Sequence, residues 1–328
     1  MIEEIKLDQN TPLDAPEPLP FPFNQRPFCR YEPIEKRIEE ARVLVINDLL
    51  RHEEDISDVA RREWGRMTAI ELQRERKIAK LALENITNNI ARLVKRPTTH
   101  IAHLSEISEA AQSFRPQAIV LSGTLRDFDY YNPAYLENFA SFVRETRIPV
   151  LGICGGHQLV GQSFGARVVT LDNMPQHERR VNRSFEYQYR FIRITEPDDP
   201  IFCGINDANT GVWQDYTTEA RILRVWQNHG LQLDHVPEGF QLLATAYLCR
   251  NQMMVKRSEG QLIYTVQFHL EKSFEDWNKN RTRWEHPNES RDGRIIFENF
   301  IQESLHHMGH TEAGCEEAQA APERGERV

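Results

Sequence analysis

Short apolar runs alternating with helix-periodic segments constrain this chain most. RVLVIND (42–48), THIAHL (99–104), QAIVLSGT (117–124) and IPVLGI (148–153) are short and rich in β-branched residues, and each reads as a strand. Between them lie helical patterns. Ala79, Ala82, Ile86, Ile90 and Leu93 recur at steps of three and four, which predicts an amphipathic helix over about 69–94. SEISEAAQSF, with Ser105 as N-cap, NPAYLENFASFVRET and residues 155–164, closed by Gly165, read as further helices. Strands alternating with helices build a parallel sheet covered on both faces, an α/β fold. In such sheets reactive groups collect at the carboxyl ends of the strands, and both LSGT (121–124) and GICGG (152–156) fall there.

From 167 to 270 the pattern changes to short β-rich runs: ARVVTL, YRFIRIT, ILRVWQNH, FQLLATAYL, MMVKRS and LIYTVQFHLE. These read as the second half of the same domain with antiparallel additions. DGRIIFENFIQESLHH (292–307) is a last amphipathic helix, while the charged stretch 49–68 takes no assignment. The expected organisation is a Pro-rich arm at 1–40, one domain at 41–308 and a disordered tail at 309–328, where no apolar face is available.

A hydrophobic content of 40% over 328 residues is enough for a sizeable core. The formal charge of -9 argues against phosphate-backbone binding, so no nucleic-acid partner is expected. No stretch approaches the roughly 20 apolar residues needed to cross a bilayer, so no membrane partner is expected either. The acidic, proline-containing N-terminus is unlike a signal peptide, and the chain is read as cytoplasmic. Cys29, Cys154, Cys203, Cys249 and Cys315 are widely spaced with no CxxC pair. Neither a disulfide framework nor a metal site is expected, and no cofactor is implied.

Gly152-Ile153-Cys154-Gly155-Gly156 fits G-x-nucleophile-x-G, a sharp strand-to-helix elbow. Small flanking residues let the chain turn and hold the thiol clear of its neighbours. The following helix aims its N-terminus at the sulfur, which favours the thiolate. The amide of Gly155 is placed to stabilise an oxyanion. Taken alone, Cys154 fits a buried core thiol beside a glycine turn as well. A nucleophile needs a base, and the base needs an orienting group. VQFHLEKS (266–273) offers His269 and Glu271, two residues apart at the end of an apolar run, where alternate residues share a face of a strand. In an α/β-hydrolase the acid precedes the histidine; here it follows, which counts against that fold.

PVLGICGGHQLVGQSFGARV (149–168), VWQNHG (225–230), VQFHLEKS (266–273) and GRIIFENF (293–300) occur in the order and spacing of class I, triad-type glutamine amidotransferase domains. The elbow resembles that family's G-x-C-x-G-x-Q signature, and QFHLE resembles its QFHPE. The resemblance covers about 42–302. It implies a flavodoxin-like, mostly parallel sheet with helices on both faces and an antiparallel extension. It also implies attack on the side-chain amide of glutamine, with release of ammonia and then of glutamate. By motif, Cys154 is the nucleophile, His269 the base and Glu271 its orienter. Gly123 and Gly155 match the positions whose amides form the oxyanion hole. Gln158, Asn228, Gly230 and Leu231 match residues that hold the substrate.

The sequence departs from the family at the SGGP-type turn, here SGTLRDF with Thr124 as the second residue after Ser122, and at Leu270, where proline is usual. The loop over the oxyanion is therefore expected to differ, while the retained His269 and Glu271 keep the triad. His157 is expected to pack or hydrogen-bond, and His229 to shape the glutamine loop. Trp277 and Trp284, in the long stretch 274–291, either close over the site or face a partner, or simply pack on the sheet. With no P-loop and no second α/β domain, the resemblance implies a separate synthetase subunit that uses the ammonia. The alternative is a stand-alone γ-glutamyl hydrolase or peptidase on the same scaffold. A binding module that has lost activity fits less well, because Cys154, His269 and Glu271 are all present.

Overall fold

A computed structural model describes residues 35–205, 222–258, 260–272 and 291–320. Its centre is a nine-stranded sheet. The strands are β1 (Ile38–Asn47), β2 (Val94–His103), β3 (Ala118–Leu121), β4 (Val150–Ile153), β6 (Glu186–Ile194), β7 (Ile222–His229), β9 (Gln241–Thr245), β10 (Met253–Ser258) and β11 (Gln261–Val266). They lie in the order β2-β1-β3-β4-β11-β10-β9-β6-β7, while β5 (Val168–Thr170) and β8 (Leu231–Leu233) form a separate antiparallel pair. From β2 to β11 every neighbouring pair is parallel. From β11 outward every pair is antiparallel. The first five strands thus follow the 2-1-3-4-5 order of a flavodoxin-like sheet, and the rest are the antiparallel extension that the β-rich runs predicted.

Six α-helices accompany the strands among the described residues: α1 (Asp58–Trp64), α2 (Thr68–Leu93), α3 (Ile107–Phe114), α4 (Pro133–Glu145), α5 (Gly155–Ser163) and α6 (Arg291–Ala320). Alternation along the parallel strands divides the core. Val43, Val45, Val120, Leu151 and Ile153 join Ile86, Ile90, Phe297 and Phe300 on the α2 and α6 face. Leu44, Ile46, Ile119, Leu121 and Val150 join Ala110, Phe139, Val143 and Leu159 on the α3, α4 and α5 face.

Several boundaries differ from expectation. β1 begins at Ile38, inside the expected arm, because its first residues pair with the start of β2. Ser105 is not a cap. Its amide donates to His103 Nδ1 at 3.2 Å in a tight turn before α3. α1 fills part of the unassigned 49–68, with Ser57 Oγ accepting from Ala60 N at 3.3 Å. At the other end α6 continues to Ala320, well past 307 and into the expected tail. That stretch is rich in Glu and Ala, which favour helix without needing an apolar face. Residues 1–34, Trp277 and Trp284 lie outside the described residues. No described helix is long and apolar enough to cross a membrane.

Candidate active site

Three parallel strands end together around Cys154. Gly152 and Ile153 of β4 lie in register with Thr265 and Val266 of β11, and β3 runs on into Ser122 and Gly123. Cys154 sits at the junction of β4 and α5 with φ +51° and ψ -100°, a backbone conformation that non-glycine residues rarely adopt. Its amide donates to Val266 O at 2.7 Å, and its carbonyl accepts from Gln158 N at 3.1 Å. The glycines permit this close approach of strand and helix. A Cβ on Gly152 would lie 2.8 Å from Gly156 C, and one on Gly155 would lie 2.4 Å from Thr124 N.

His269 and Glu271 come together beside the thiol, but not on a strand face as expected. β11 ends at Val266, so the pair forms in the turn beyond it. His269 Nδ1 is 2.6 Å from Glu271 Oε1. The His269 amide donates to Trp226 O at 2.8 Å, and Asn89 Nδ2 of α2 donates to Glu271 O at 2.7 Å. Burial opposes the imidazolium, but the Glu271 carboxylate and then Cys154 outweigh it, and the His269 pKa is pushed up to about 10. Burial likewise opposes the Glu271 carboxylate, but His269 outweighs it and holds its pKa below the usual value. His269 Nε2 is buried with no hydrogen-bond partner among the described residues, although Cys154 is near enough to act on the ring.

Gly123 faces the same centre: a Cβ there would lie 3.3 Å from His269 Cε1 and 3.6 Å from Cys154 Cβ. Thr124, the departure from the family turn, packs its side chain on Gly155. Gln158 Nε2 donates to Leu231 O and to Gln267 Oε1, both at 3.0 Å. Gly230 is packed under Arg183 and Phe185, whereas Asn228 is exposed on β7. His157 is buried, with Nδ1 2.7 Å from Thr265 Oγ1, and burial pushes its pKa down to about 3. His229 Nδ1 lies 2.9 Å from Leu231 O, so it does bear on that loop. Among the described residues no group of three or more His, Cys, Asp or Glu is arranged to hold a metal.

Residues 82–285 match the family described as glutamine amidotransferase class-I. The chain belongs to that family. One curated relative of this amidotransferase is a glutamine-hydrolysing GMP synthase subunit of Thermococcus kodakarensis, 31% identical over 164 residues, which are 50% of this chain and 70% of that protein. Another is the GMP synthase of Chromobacterium violaceum, 32% identical over 164 residues, of whose length this chain spans 26%. A solved protein of Thermoplasma acidophilum, provisionally described as a GMP synthase subunit, shares the fold with a TM-score of 0.50 and 20% identity, over 83% of this chain and 98% of that one.

Two residues of the site escaped the sequence reading. Gln267 Nε2 donates to Cys154 Sγ at 3.7 Å. It lies inside the quoted VQFHLE motif, which was the available signal. Asn89 sits on the buried stripe of α2 beside Ile86 and Ile90, and a polar residue on an apolar helix face was its signal.

Proposed function

We propose that this amidotransferase hydrolyses glutamine through Cys154, His269 and Glu271 and passes the ammonia to a separate acceptor-activating enzyme. The observation that carries the reading is the His269–Glu271 pair beside a strained elbow cysteine. The sulfur of Cys154 attacks the side-chain carbonyl carbon of glutamine. The developing oxyanion is received by the amides of Gly123 and Gly155. His269, oriented by Glu271, protonates the departing ammonia, leaving a thioester on Cys154. Water then attacks the thioester, with His269 taking its proton, and glutamate leaves. Gln158 helps hold the glutamine, and Asn228, Gly230 and Leu231 hold its amino-acid end, partly through main chain. The subunit designation of the Thermococcus relative supports a separate synthetase partner. A partner that docks near the turn bearing Thr124 would couple hydrolysis to acceptor binding.

The test is ammonia release from glutamine and from γ-glutamyl peptides, with wild type and Cys154→Ala. Glutamine turnover that rises with a co-purifying synthetase and vanishes in Cys154→Ala is expected. Faster turnover of γ-glutamyl peptides by the chain alone, with no partner recovered, would replace this reading with the γ-glutamyl hydrolase.

A further inference from the structure

The turn after Gly123 is gripped from two sides. On one side Arg126 Nε donates to Glu75 Oε1 of α2 at 3.0 Å, and Arg126 also pairs with Glu71. On the other side Arg183 forms a two-pronged pair with Asp127, Nη1 to Oδ1 and Nη2 to Oδ2, both at 2.8 Å. Arg180 Nη1 adds a third contact to Asp127 Oδ2 at 2.8 Å. Asp127 is only 7% exposed, so the fork forms largely out of water, where its geometry is most strongly enforced. Arg183 also touches the other end of the site. A Cβ on Gly230 would lie 2.7 Å from Arg183 Cδ and 3.1 Å from its Cγ. One arginine therefore bridges the turn beginning at Gly123 and the stretch beginning at Gly230.

We propose that Asp127, held by Arg183, is a positioning residue for glutamine hydrolysis. It sets the oxyanion turn 123–127 at a fixed separation from the Gly230 stretch that receives the amino-acid end of the substrate. The inference rests on the reading of Cys154 as nucleophile and Gly123 as oxyanion donor. Its physical basis is the steep dependence of rate on the placement of such a donor, where about 1 Å costs on the order of a hundredfold. Asp129 supplies an internal comparison. It accepts its own two-pronged pair from Arg180, Nη1 to Oδ1 at 3.0 Å and Nη2 to Oδ2 at 2.5 Å, but the arginine packed over Gly230 is Arg183, so Asp129 stands outside the bridge between the two stretches.

The experiment measures kcat and KM for glutamine in the full chain, with thermal melting of each variant. Asp127→Asn is expected to lower kcat at least tenfold with KM changed less than threefold, while Asp129→Asn stays within about twofold of wild type in both. Arg183→Gln is expected to lower kcat and raise KM, because it touches both ends. The double variant should be no slower than the slower single, since the two side chains act as one unit. Equal losses in Asp127→Asn and Asp129→Asn, multiplicative losses in the double variant, or wild-type kcat in Asp127→Asn would each overturn the proposal. If Asp127→Asn does not fold, Arg183→Gln decides: a change in KM alone overturns it. A glutamine-derived chloroketone separates this outcome from failure of the underlying reading. If Cys154 is labelled and wild type turns over, only the positioning role is at stake; if Cys154 is not labelled and Cys154→Ala is active, the nucleophile itself is wrong.

Discussion

Gly155→Ala tests whether the elbow and the turn proposed to hold the oxyanion must touch. The added Cβ would lie 2.2 Å from Thr124 Oγ1, 2.5 Å from Thr124 Cγ2 and 2.4 Å from Thr124 N. Rotation of Thr124 can relieve the first two contacts, but the backbone nitrogen cannot rotate away. Ordinary contact begins near 3.4 Å, so the start of α5 and the turn must part by about 1 Å, the difference between 3.4 and 2.4. Overpacking of this kind costs about 1–3 kcal/mol. Misplacing an oxyanion donor costs roughly a hundredfold or more in kcat. The assay is glutamine-dependent ammonia release alongside thermal melting. The expected result is a fall in kcat near a hundredfold with a lowered melting temperature. Thr124→Gly added to Gly155→Ala should restore little, because the contact with the nitrogen persists. Full recovery in that double variant, or a Gly155→Ala enzyme within twofold of wild type, would refute the reasoning.

Other perturbations follow from the buried charges. The His269 pKa stands at about 10 against an ordinary 6.5, so its stabilising contribution is complete below 6.5 and is lost as pH climbs through about 10. Wild type should therefore lose more stability between pH 7 and 10 than His269→Gln, and parallel denaturation curves would count against the pairing. Burial raises the Glu75 carboxyl to about 7, only partly offset by Arg126, so the folded state holds a proton that the unfolded state releases above 4.5. Stability should thus decline as pH rises from 4.5 to 7, and Glu75→Gln should flatten that decline in chemical denaturation; an unchanged slope would contradict it. Asn89→Ala leaves the Glu271 carbonyl without its donor and should cost about 1–3 kcal/mol together with part of the turnover, whereas an unchanged melting temperature would show that bond to be dispensable.

The parallel half of the fold was legible because its central strands are buried on both faces and therefore apolar throughout. β8 and α1 were not. Among the described residues β8 has three residues and pairs only with β5, and α1 buries only Ala60 and Trp64, so neither carries a period long enough to read. The expected end of the last helix failed for a different reason. An apolar stripe marks where a helix packs, and propensity alone carries α6 beyond it.

The same distinction separates what could be read of the site from what could not. GICGG is legible because its demand is local: a positive φ at Cys154 costs about 1–3 kcal/mol, and only small neighbours let strand and helix close around it. His269 and Glu271 are legible as a pair because they stand two positions apart in the sequence. Asp127 and Arg183 are separated by 56 positions, and nothing in either neighbourhood marks them as partners. Their pairing becomes visible only when the sheet brings the end of β3 and the segment before β6 to one side of the thiol. A motif therefore marks the candidate reacting groups, whereas the positioning proposed for Asp127 and Arg183 rests on charges that lie far apart in the sequence and that the fold collects. Motif residues alone, grafted on a sheet lacking that fork, should bind glutamine and turn it over slowly.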